Sequence, residues 1–213
     1  MSTDWYEAEQ EEAYSEFVDS LAAELYEEHR QRAIEAFVSD RLASYYLEHP
    51  NISEQALVFF KKAKFYREAD PVASLLFSCT TTEVLLKTVI LKPIVYGLVH
   101  TESLAELIAS GLVRKVGIDR LKGLVFQILD NQIEFPNGIK NYCRDGSRTP
   151  LLVEHANIQE VRNAILHQAK PCACDASDLS FEVARAFVNI THLLLNSIGL
   201  KFSKRGVIVR EAE

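Results

Sequence analysis

Apolar residues recur every three or four positions along most of this chain, and alternating strand patterns are scarce. Residues 5–48 read as one long or two shorter amphipathic helices, anchored by Trp5, Phe17, Leu21, Leu25, Phe37 and Leu42. His49-Pro50-Asn51 breaks that run. A helix is predicted over 53–67. Asp70-Pro71 then supplies an N-cap followed by proline at the first helical position. The helix it opens is predicted to reach residue 92, where Pro93 stops it. Segments 101–110 and 119–132 are further helix candidates. Pro136, Gly138, Gly146 and Pro150 make 133–153 a long loop, a common place for substrate contacts.

Asn157 with Glu160 resembles a capping box, and Pro171 closes the far end, which predicts a helix of about three turns between them. Asp175 and Asp178 are expected to cap a last helix reaching Gly199. Beyond it, 201–210 is basic and ends in Val207-Ile208-Val209, a short strand candidate. The fold class that follows is all-α, a helical bundle.

Composition changes this picture mainly through charge. The 213 residues, 48% hydrophobic and 25% charged, suit one well-buried domain with an appendage. The net charge of −7 is unevenly spread. Residues 1–29 hold ten acidic side chains and no lysine or arginine, whereas Arg30 onward carries 23 basic against 20 acidic residues. An acidic N-terminal helical extension at 1–50 and a bundle at 51–213 are therefore expected, and a polyanionic ligand remains compatible with the bundle. The extension has three open roles: competing for a basic groove, docking on a partner through Phe17, Leu21 and Leu25, or packing as an ordinary helix. No apolar run reaches transmembrane length by inspection, and the N-terminus lacks a signal-peptide pattern. A cytoplasmic protein with no membrane partner is expected. Its four cysteines (Cys79, Cys143, Cys172, Cys174) are expected to be reduced thiols.

Chemistry concentrates in Arg162-Asn163-Ala164-Ile165-Leu166-His167. On a helix Asn163 lies about 100° and His167 about 140° from Arg162, so the three polar groups share one arc. Arginine offers a fork of donors to phosphate oxygens, and histidine moves protons near neutral pH. The ordinary alternative is a surface ion-pair arginine and a hydrogen-bonded histidine at a helix end. Glu83 falls on the apolar stripe of the helix at 70–92. It either positions the Arg162 guanidinium or sits at the stripe's edge and reaches solvent. Cys172-Ala173-Cys174 has an unusual spacing for zinc, and Cys143 is isolated, so small residues packing a tight turn are the better account. Cys79 and His192 are expected in the core. No Gly-rich phosphate loop or Ser/His/Asp arrangement is present, and no metal or cofactor is expected. Basic clusters at Lys61, Lys62, Lys64 and Arg67, at Arg144 and Arg148, and at 201–205 are candidates for holding RNA. A solvated face is the default reading of any one of them.

An arginine, a polar residue after it, and a histidine within four to six intervening positions resemble the signature of the HEPN superfamily. The resemblance spans about residues 53–200. It implies an all-α, HEPN-like bundle and a homodimeric, metal-independent endoribonuclease acting as a toxin or defence effector. Arg162 and His167 would be its catalytic pair, Asn163 the polar position, and an antitoxin or other regulator a partner. Ala169 stands where some such toxins carry a modifiable tyrosine, two positions after the histidine. The rivals are a catalytically silent HEPN-like module that binds a partner protein or nucleotide, and a regulatory protein working through its acidic helix.

Overall fold

The computed structural model describes residues 16, 20, 36–98, 126, 129, 130, 132–135 and 137–211. The chain divides into two units, Met1–Asp40 and Arg41–Glu213. In the first, described residues 16, 20 and 36–40 are helical. The second unit begins at Arg41, eleven residues after the charge shift at Arg30. Helical residues 41–48 place Leu42, Tyr45 and Tyr46 in the interior, so they belong with the bundle and not with the acidic segment.

Two helices follow as the pattern predicts. Helix α1 is Glu54–Tyr66 and helix α2 is Pro71–Val84. Asp70 caps α2 by accepting from the Ala73 amide at 3.0 Å, with Pro71 in the first turn, where its missing N–H costs nothing. Ala56 and Ala63 are fully buried and let α1 approach α2 closely. The Ser74 hydroxyl donates to the Ala63 carbonyl at 2.9 Å across that contact.

Pro93 does not stop the helix. After α2 the chain runs through a π-helical segment, Leu85–Leu91, into α3, Lys92–Leu98. The wider i→i+5 register of the π segment absorbs the disruption that proline imposes. The resulting run Pro71–Tyr96 has the length and composition of a membrane-crossing helix, which was not expected. Most of its most apolar window is buried within the protein, as in the core helix of a bundle.

Segment 101–110 lies outside the described residues. Of 119–132, residues 126, 129, 130 and 132 are described, and all four are helical. The long loop expected over 133–153 holds a short 3-10 turn, Ile139–Asn141, and ends early, because helix α4 is Leu151–Gln168. Asn157 and Glu160 are therefore interior to α4 and do not cap it. Pro150 precedes its first turn, and Leu151, Glu154, His155 and Ile158 bury its inner face. Helix α5, Cys174–Ser197, starts at Ala173 without a side-chain cap. Asp175 lies in its first turn, and Asp178 pairs with Arg67 instead.

The strand candidate forms with a partner. Strands β1 (Leu200–Phe202) and β2 (Ile208–Arg210) make an antiparallel hairpin, Leu200 opposite Arg210 and Phe202 opposite Ile208. Gly206 in its turn has φ +82, and a Cβ there would meet Leu57 Cδ1 at 2.6 Å. The Ser53 hydroxyl donates to the Gly206 carbonyl at 3.0 Å, which pins the hairpin to the start of α1. The described architecture is mostly helical, with α1 and α4 both packed on α2 and α5.

Candidate functional site

Helix α4 is held against its neighbours through one apolar stripe. Ile158 is buried with Leu75 and Cys79 of α2, and Val161, Ile165, Cys172 and Leu179 pack around them. The spacing 158, 161, 165 is the inner face of a helix. Arg162 sits at the edge of that stripe, with its side chain 31% exposed. Its neighbour Asn163 and the last-turn His167 face solvent. The arginine thus lies against α2 beside Glu83 while the carboxamide and imidazole project outward. Among the described residues, no direct contact joins Arg162 to His167 within one protomer.

Glu83 stands beside Arg162, Oε2 to Nη2 at 4.0 Å, and accepts a shorter bond from Lys87 at 2.6 Å. Its side chain is 37% exposed, so it lies at the stripe's edge and also reaches the arginine. A cation–carboxylate–cation row, Lys87–Glu83–Arg162, results. Lys87 was not singled out in the sequence, although its i, i+4 spacing from Glu83 is the signal that finds it. Cys79 lies under this row. Burial pushes its thiol up to about 12, with the Arg162 charge opposing and the Glu83 charge adding to the rise. Cys172 donates from Sγ to the Pro71 carbonyl at 3.7 Å, and Cys174 is exposed. His192 is half-buried, its ring edge-on to Phe202 at 4.5 Å, and burial lowers its pKa.

The basic candidates separate. Lys61, Lys62 and Lys64 are exposed on α1. Arg67 is engaged by α5, with Nε 2.6 Å from Asp178 and Nη1 3.5 Å from Glu182. Arg144 gives both arms of its fork to Glu154, at 2.8 and 3.1 Å, and Ser147 donates to the same carboxylate at 2.7 Å. Glu154 is 7% exposed, so this pair ties the loop before α4 to its first turn. Arg148 remains exposed in that loop, before the first turn of α4, whereas His167 lies in the last turn, about 24 Å along the axis from Leu151 at 1.5 Å per residue.

No family model, curated protein or solved structure matches this chain.

Proposed function

We propose that this protein is a HEPN-like, metal-independent endoribonuclease. The observation that carries the reading is the division of labour on α4: an arginine lying against α2 beside Glu83, and an exposed histidine five residues on in the same helix. The ribose 2′-OH gives its proton to His167 as general base and attacks the adjacent phosphorus. Arg162 stabilises the charge growing on the equatorial oxygens, held in place by Glu83, while Asn163 orients the phosphate. The bond to the 5′-oxygen breaks and that oxygen takes up a proton, leaving a 2′,3′-cyclic phosphate and a 5′-OH end.

The reaction calls for a base and an acid, and each chain offers one His167. A two-fold dimer joining the α4 faces supplies both, and C2 pairing is the commonest assembly. Exposed Leu166, next to His167, gives such a contact some apolar surface. In this reading the protein acts in the cytoplasm as a toxin or defence effector restrained by an antitoxin or other regulator. The same exposed face also suits the second reading, a catalytically silent module that docks a partner there. Incubating the protein with RNA in EDTA and identifying the ends separates the two. Cyclic phosphate ends support the enzyme, and intact RNA supports the silent module.

A further inference from the structure

Helix α1 presents a surface that the cleavage chemistry does not use. Ala63 faces inward, while Lys61, Lys62 and Lys64 are exposed around it. Phe65 beside them is 77% exposed, an uncommon position for a large apolar ring. Between this ring and α2 lies an open recess of about 340 Å³, lined by Val58, Lys61, Lys62, Phe65, Tyr66 and Phe77. Tyr66 and Phe77 stack at 5.8 Å between centroids, and Phe65 meets Tyr66 edge-on at 5.1 Å. The Lys62 ammonium lies 5.5 Å from the Phe77 centroid. Among the described residues, no carboxylate lines the recess.

We propose that this recess takes a base of single-stranded RNA, stacked on Phe65 and the Tyr66–Phe77 wall. Lys61, Lys62 and Lys64 would hold the flanking phosphates. Exposed aromatic rings interleaved with cations are what a sequence-tolerant single-strand site requires, since every base has a π-face. The shape favours RNA over a protein partner. An amphipathic helix needs an elongated groove with anchors at several turns, whereas this recess has the size of a small-molecule site.

The subsite lies on the far side of α2 from the motif. Ser74 and Phe77 face α1, while Leu75, Cys79 and Glu83 face α4, directions about 170° apart at 100° per residue. It therefore acts as an anchor for strands long enough to pass around α2. The proposal rests on the RNA reading above, but its readout is binding and not cleavage.

The test is fluorescence anisotropy of the full chain with a labelled 2′-O-methyl single strand, which cannot be cleaved. Phe65→Ala is expected to weaken binding roughly 5- to 150-fold and Phe65→Tyr to retain it. The Lys61→Ala/Lys62→Ala variant is expected to lower the salt slope by about 1.4, at 0.7 per phosphate contact on a single strand. Equal affinity of wild type and Phe65→Ala would overturn the subsite. So would Phe65-dependent capture of an acidic amphipathic peptide with RNA affinity unchanged. Phe65-dependent binding without any cleavage of ordinary RNA would sink the enzyme and keep the subsite. Cleavage with Phe65-independent binding would do the reverse.

Discussion

The Tyr46 hydroxyl donates to the Val89 carbonyl at 2.6 Å, and that carbonyl is the one Pro93 would serve in an unbroken α-helix. Proline has no N–H to give, and the hydroxyl arrives from 43 residues upstream to take its place. Tyr46 is fully buried, and burial raises its pKa far above the ordinary phenol value, so it stays a donor. Tyr46→Phe keeps the ring and strands a buried carbonyl. The expected cost is about 1–3 kcal/mol in urea unfolding. An unchanged midpoint would show that the helix manages Pro93 through its π segment alone.

This contact also shows what the sequence could and could not reveal. The start of α2 was legible because Asp70-Pro71 is a local signal, with cap and proline within two residues. Its continuation past Pro93 was not, because the compensating donor is remote in sequence. The start of α4 failed for a related reason. Glu154 looks like a solvated loop carboxylate until Arg144 and Ser147 fold back on it. The Arg162–His167 spacing was readable from helical period alone, whereas the inward lean of Arg162 toward Glu83 and Lys87 required the packing of α4 on α2.

Arg144 and Glu154 carry the second stability prediction. Removing the guanidinium leaves a carboxylate that is 7% exposed with Ser147 as its remaining hydrogen-bond donor. Arg144→Ala is expected to cost roughly 3 kcal/mol, and replacing both members with apolar residues to cost less than the single change. Thermal melts of the two single variants and the double variant check this. Equal, additive losses would mean that the pair is not coupled.

Ala169 ends α4 in the left-handed region, with φ +51, and donates from its amide to the Ile165 carbonyl at 3.1 Å. The side chain is exposed, so no packing offsets the backbone strain. Ala169→Gly is expected to stabilise by about 0.5–1 kcal/mol, glycine's greater unfolded entropy being smaller than the strain relieved. Destabilisation in chemical denaturation would contradict this reading of the cap.

His192 sets a pH dependence. Burial beside Phe202 lowers its folded pKa below the usual value, so the unfolded chain binds the proton more readily. Stability therefore rises with pH across the window between the lowered pKa and about 6.5, and its contribution is complete above that. His192→Gln is expected to flatten the melting-temperature profile between about pH 5 and 7 relative to wild type. Parallel profiles for the two proteins would remove His192 from the account.

The most direct test of the central claim is single-turnover cleavage of RNA in EDTA by wild type, Arg162→Ala, His167→Ala and the double variant. Both side chains lie at the surface or half-buried, so the folds are expected to survive, which circular dichroism verifies. Either single change should reduce cleavage by at least about 100-fold, and the double variant should be little worse, because both groups serve one transition state. Cleavage at the wild-type rate by a folded His167→Ala protein would contradict the assignment.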